Sequence, residues 1–197
     1  MIRIAILSVL WIGIMFFVYP TKEVQSETTP EDLFAMAKAQ EDKYFQDMTP
    51  FIPATEKAIE CLALNIYHEA RNESTIGQAS VAWVVINRVQ SDKFPDSVCG
   101  VVYEARYSKW WKEAHGKDVP LRHQCQFSWY CDGKSDRVYE WDKFEEARSI
   151  AYSVLMNKTP ADPTNGALWY HADYVNPRWA NDYTKTAKIG THIFYRN

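Results

Sequence analysis

The chain has 197 residues, enough for one sizeable core and short for two. A formal net charge of −3 provides no global basic field and argues against a nucleic-acid partner. Trp, Tyr and Phe make up 15% of the chain, more rings than one core requires; rings with polar neighbours suit sugar, which stacks on an apolar face and hydrogen-bonds at its edges.

The first twenty residues, MIRIAILSVLWIGIMFFVYP, carry a single charge at Arg3 and then run uncharged from Ile4 to Tyr19. This stretch reads as a signal anchor or signal peptide over residues 1–20 and is set apart from the fold. Its apolar run is near the lower limit for spanning a bilayer and long for a signal core, and Val24-Gln25-Ser26 offers small residues for cleavage. On either reading the remainder is exported. Residues 21–57 hold four Lys against eight acids and no Gly. Thr29-Pro30-Glu31-Asp32 is a helix start, and Leu33, Ala37, Tyr44 and Met48 recur at helical spacing. We expect an acidic helical spacer, or a segment that packs onto the domain downstream. Pro50 and Pro53 mark the boundary before a body over 58–197, where 17 bases balance 17 acids.

Within the body, Thr55 can cap a helix running to about Arg71, and a second helix fits Ile76 to Val89 with Val81, Val84, Val85 and Val89 inward. A third is expected over Lys143–Asn157, with Phe144, Ala147, Ile150, Ala151, Val154 and Leu155 on one face. The period then changes. "ALWYHA" (167–172) and "IGTHIFY" (189–195) read as two short strands, antiparallel to each other. The expected fold class is α+β, mainly helical with a small antiparallel sheet. Export makes Cys61, Cys99, Cys125 and Cys131 disulfide partners in one of three pairings. The short 125–131 separation favours that pair together with 61–99.

"NIYHEARNES" (65–74) poses the functional question, because it sets Glu69 beside His68. On a wheel of about 100° per residue with Leu62 at zero, Ile66 falls at about 40°, Ile59 at about 60° and Glu69 at about −20°. Glu69 therefore lies at the margin of the apolar stripe. A carboxyl there loses hydration when ionised, which raises its pKa and suits a proton donor. A zincin would need H-E-x-x-H, and position 72 is Asn. The pair at Cys125 and Cys131 near His123 has poor zinc spacing, and no nucleotide loop or nucleophile elbow is present. No metal and no cofactor is expected.

Six blocks carry a family resemblance: "NIYHEARNES", "GQASVAWVVINRV", "FPDSVCGVVY", "CQFSWYCDG", "GALWYHADYVNPRW" and "IGTHIFY". Together they resemble the SleB/CwlJ-like family of spore-cortex-lytic cell-wall hydrolases, over roughly residues 60–195. The resemblance implies a lysozyme- or transglycosylase-like scaffold that cleaves peptidoglycan, with Glu69 as the catalytic acid and Glu73 as a supporting second acid. Asn72 stands where the family usually has Gly, and Asn tolerates a left-handed backbone. His68 stands where the family more often has an aromatic or small residue. Tyr67, Gln78, Gln126, Phe127, Trp129, His171 and Tyr195 fall in matched blocks and are expected to line the substrate cleft. Ser128, Trp169 and Trp179 are further candidates for sugar contact; Trp83 reads as core, and Asn87 and Arg88 as ties from a helix end to backbone.

A single acid suffices if the substrate supplies its own nucleophile, as in a lytic transglycosylase acting on the MurNAc–GlcNAc bond. The alternatives are a water-using muramidase with Asp132 or Asp173 as second acid, and an inactive peptidoglycan-binding module. The expected partners are glycan strands and, through the leader, a membrane. The expected state is a monomer, anchored in the inner membrane facing the wall or secreted.

Overall fold

Thr55 starts the first helix of the body: its hydroxyl accepts from the Ala58 amide at 3.1 Å, and Glu56 lies next on the positive end of the dipole. The computed structural model describes residues 54–157 and 161–197, with Thr29, Ala35, Met36 and Lys38. The leader over 1–20 and the rest of the spacer lie outside the described residues. Helix α1 spans Glu56–Ala70, and helix α2, Thr75–Val89, begins at Ser74, whose hydroxyl caps the Gly77 amide. Leu62, Ala63 and Ile66 of α1 and Val81, Val84 and Val85 of α2 are fully buried, while Val89 at the helix end is half-buried. Each fully buried Leu, Ile or Val among them contributes roughly 1.5–3 kcal/mol.

After the short helix α3, Val98–Val102, the chain makes an excursion absent from the sequence expectations. Strand β1 (Ala105–Tyr107), helix α4 (Lys109–His115) and strand β2 (Pro120–Cys125) form a two-stranded antiparallel ribbon with a helical tip. No residue of α4 is buried, so no apolar periodicity announces it. Local chemistry holds it instead. The Ser108 hydroxyl caps Trp111, Gly116 takes the left-handed closing position at φ 65°, and Lys112 meets Asp118 at 2.7 Å. A 3-10 turn at Ser128–Cys131 then leads to helix α5, Trp141–Leu155. All six residues expected on the inner face of α5 are buried, although the helix starts two residues earlier than periodicity indicated.

The last part of the chain forms a three-stranded antiparallel sheet from β3 (Trp169–Ala172), β4 (Thr184–Ile189) and β5 (His192–Arg196), in the order β3-β5-β4. The expected pairing of the two apolar segments holds, with Tyr170 opposite Phe194 and His171 opposite Ile193. "IGTHIFY" is not one strand, however. Ile189 ends β4, and Gly190 at φ 56° turns the chain into β5. A Cβ at Gly190 would collide with the Glu73 carboxylate, so turn and contact together demand glycine. Strand β4, TKTAKI, is polar and lies at the sheet edge, which hid it from a search for apolar runs. The architecture is α+β, mainly helical, with two small antiparallel sheets. No described helix is long and apolar enough to cross a membrane.

The cysteines pair as the spacing favoured, Cys61–Cys99 across α1 and α3 and Cys125–Cys131 at the foot of the ribbon. The first closes a loop of 38 residues and the second one of 6. Chain-entropy restriction grows with loop length, so replacing Cys61 and Cys99 by Ala should lower unfolding free energy by about 4 kcal/mol, and Cys125 and Cys131 by about 2 kcal/mol. Urea denaturation of the two double variants measures the difference.

Candidate active site

Glu69 sits in the last turn of α1, which closes through Arg71 in right-handed conformation at φ −58°. The Glu73 amide donates to the Ala70 carbonyl at 2.9 Å and carries the chain towards α2. Asn72 is not among the described non-glycine residues at positive φ, which are His123, Asn157 and Asn165. The tolerance of Asn for a left-handed backbone is thus not drawn upon, because α1 closes without one.

The Glu69 side chain is half-buried, and its Oε2 accepts a hydrogen bond from the Tyr170 hydroxyl at 3.0 Å. Burial pushes its pKa up; the Tyr170 hydrogen bond and the charge of Arg88 pull the other way without cancelling it. The geometry distinguishes the two oxygens. With Oε2 engaged as an acceptor, a proton on the neutral acid rests on Oε1, free for donation. Burial likewise pushes the Tyr170 phenol well above its usual range, so it remains a donor.

Beside this pair lies Arg88, only 4% exposed. Its Nε donates to the Leu168 carbonyl at 2.8 Å, which is the backbone tie expected from sequence; Asn87 makes a similar one to Ala167 at 3.1 Å. The guanidinium also lies over the rings of Phe94, Phe127 and Trp169, at 5.1, 5.1 and 5.6 Å from their centroids.

The other expected site residues divide by burial. Tyr67 is 2% exposed and its hydroxyl accepts from the Tyr139 and Glu140 amides, both at 3.2 Å, fixing the start of α5. Gln78 is fully buried and donates to the Glu73 carbonyl at 3.2 Å and to Glu146 at 3.3 Å. Phe127 lies under Arg88. Trp129 donates to Asn65 at 3.1 Å and stacks on His68 at 4.5 Å. Tyr67, Gln78, Phe127 and Trp129 are therefore buried packing and bracing residues in this structure, and Trp83 joins them in the core as read. His68, beside the acid, is occupied by Trp129 and by a contact of its Nε2 with the Asp136 carbonyl at 3.3 Å.

His171 and Tyr195 project from the face of the sheet opposite Tyr170, since side chains alternate along a strand and Tyr170 pairs with buried Phe194. They are not brought to Glu69. His171 Nδ1 faces the Ala172 carbonyl at 2.9 Å, which can only accept, so Nε2 accepts from the Tyr195 hydroxyl at 3.0 Å. Trp179 packs edge-on against both rings, while Trp169 stacks on Tyr183 at 5.3 Å. Gln126 donates to Glu104 at 3.3 Å, and both line an open depression of about 290 Å³ with Ala105, Arg106, Gln124 and Cys125; Ser128 is exposed next to this segment. Glu73 braces: its carboxylate accepts from the Thr191 hydroxyl and amide and ties the start of α2 to the β4–β5 turn. The alternative second acids have local partners. Asp173 pairs with Lys188 at 2.9 Å and Asp132 bonds the Lys134 amide at 2.8 Å.

Tyr170 and Arg88 are the site residues that sequence reasoning missed. Both carried a signal. Arg88 comes seven positions after Val81, as Glu69 comes seven after Leu62, so each ionisable group falls on its helix's apolar stripe. Tyr170 alternates with His171, and only packing shows which of the two faces the helices.

A family model described as Cell Wall Hydrolase matches residues 72–195. Among curated relatives, the spore cortex-lytic enzyme of Halalkalibacterium halodurans is 31% identical over 159 residues, 79% of this chain and 40% of that protein. The Bacillus cereus enzyme of the same name is 30% identical, again over 79% of this chain and 51% of its own length. The Bacillus subtilis enzyme is 33% identical over 69% of this chain and 36% of its own. The chain thus spans about half or less of the length of these relatives. A crystal structure of the catalytic domain of the Bacillus cereus SleB protein aligns at 26% identity and a TM-score of 0.49, over 76% of this chain and 99% of that one. With most of the described body matched by the family model, the chain belongs to the cell wall hydrolase family.

Proposed function

We propose that this chain cleaves the MurNAc–GlcNAc bond of peptidoglycan glycan strands as a lytic transglycosylase, with Glu69 acting first as general acid and then as general base. One observation carries the reading: a desolvated carboxyl with a single engaged oxygen, at the position that the resemblance of "NIYHEARNES" marks, three residues ahead of the stretch the family model matches. In the first half, Glu69 Oε1 gives its proton to the bridging oxygen as the bond from C1 to that oxygen breaks. The positive charge left on the sugar ring is quenched when the C6 hydroxyl of the same muramic acid closes onto C1. In the second half the Glu69 carboxylate takes the C6 proton. The acid is regenerated, no water is consumed, and a 1,6-anhydro end remains. The scheme calls for no metal and no cofactor. An apolar leader and two disulfides support export, with the body facing the wall from a membrane anchor or free of it.

Replacing Glu69 by Gln keeps the shape and the acceptor for Tyr170 while removing the transferable proton. Release of muropeptides should fall by about 10²–10⁴-fold, the usual range for loss of acid–base catalysis. Mass spectrometry of the parent's products should show ends lighter by one water than hydrolysis would leave. Release by the variant at the parent's rate would remove Glu69 from the mechanism, and hydrated ends would favour a water-using muramidase.

The same substitution has a stability signature. Burial raises the folded-state pKa of Glu69, so its unfavourable ionisation costs nothing below the ordinary carboxyl range. The cost grows as pH rises from that range through the raised value. Glu69→Gln should therefore melt above the parent at higher pH, with the gap closing on acidification below the ordinary range. Thermal melts across pH measure this, and a gap that is constant or reversed contradicts the burial argument.

A further inference from the structure

Arg88 has too many rings around it and too few oxygens for an ordinary buried cation. A guanidinium only 4% exposed is normally neutralised by a carboxylate. Here, among the described residues, no carboxylate oxygen lies within 4.0 Å, Nη1 has no hydrogen-bond partner, and the charge rests on one carbonyl and three aromatic faces. Burial lowers its pKa only to about 10, so it stays charged at neutral pH. An ion pair would neutralise this field locally. Unpaired, its field is open to Glu69, because one short segment holds both groups: Arg88 Nε donates to the Leu168 carbonyl at 2.8 Å, and the Tyr170 hydroxyl two residues on donates to Glu69 at 3.0 Å. The same field extends to Glu104.

We propose that Arg88 is an electrostatic positioning residue for Glu69: its caged, unpaired charge favours the carboxylate that must collect the C6 proton in the second half of the reaction. The inference rests on the reading of Glu69 as acid and base. Burial alone would make Glu69 a competent acid and a reluctant base; a fixed cation nearby restores the second role without giving the proton a competing acceptor, because guanidinium has none to offer.

The surrounding groups supply no substitute. His68, next on α1, and His192 on β5, whose ring meets Tyr170 edge-on at 5.2 Å, are both held towards the neutral form by burial. Arg71 is taken up by Glu140 at 2.8 Å. Tyr170 on β3 is a neutral donor. Glu104, ahead of β1, is an acid that faces Arg88 and works against it.

The test uses the full chain with Arg88→Gln, Arg88→Lys and Glu104→Gln, reading the alkaline limb of kcat/KM for muropeptide release and the carbon-13 titration of the Glu69 carboxyl. Removing the charge should move limb and titration upward by about one pH unit and lower kcat, while Lys should hold both within about 0.3 unit. Glu104→Gln, at a half-buried position, should move them downward by freeing more of the Arg88 field. A parent-like limb and titration in Arg88→Gln, with activity reduced only in proportion to unfolded protein, would overturn the proposal. If Arg88→Gln does not fold, an unmoved Glu69 titration in Glu104→Gln overturns it instead. Full activity in Glu69→Gln would remove the catalytic premise, and the titrations, which need no turnover, report that failure separately from loss of the coupling.

Discussion

In the reaction proposed for Glu69, a carboxylic acid that first gives up a proton and then recovers one cannot sit in an environment that strongly prefers either state. In this fold the balance is struck where the last turn of α1 meets β3. Withdrawal from water favours the acid; the Tyr170 hydroxyl at 3.0 Å and the Arg88 charge favour the carboxylate. The opposing influences come from two consecutive helices and a strand about eighty residues beyond them, so the balance exists only when helices and sheet are packed together.

Much of the surrounding architecture serves to keep that junction in register. Glu73 holds the start of α2 to the turn between β4 and β5, and Gln78 holds it to α5 through Glu146. Tyr67, one helical position from His68 and two from Glu69, pins the first turn of α5. These polar side chains satisfy backbone or side-chain partners in places that water does not reach well, where an unmet group costs about 1–3 kcal/mol. Residues that the motif blocks mark are thus largely braces.

The helical part of the fold was legible because burial and periodicity coincide there. Leu62, Ile66, Val81, Val84 and Val85, and the inner face of α5, announce themselves by spacing, and Thr55 marks the first start. The ribbon of β1, α4 and β2 and the edge strand β4 were not legible. They bury little, and turn chemistry, ion pairs and a disulfide hold them in place of an apolar stripe. Wheel geometry placed Glu69 at its apolar margin correctly, and would have flagged Arg88 by the same seven-residue spacing. Trp129 and Phe127 show why rings are hard to assign from sequence: an aromatic in a polar block looks the same whether it stacks on a saccharide or on His68 and Arg88.

By itself, then, the sequence determined the three long helices of the body, the pairing of the two apolar strands and the identity of the half-buried acid, because each comes from local periodicity or motif. Which phenol would reach that acid, which cation would stand beside it unpaired, and which rings would be taken up in packing were decided only by the tertiary structure. Those are contacts across about a hundred residues in the case of Tyr170 and Glu69, and strand alternation leaves the choice between Tyr170 and His171 open until the sheet has a face to bury.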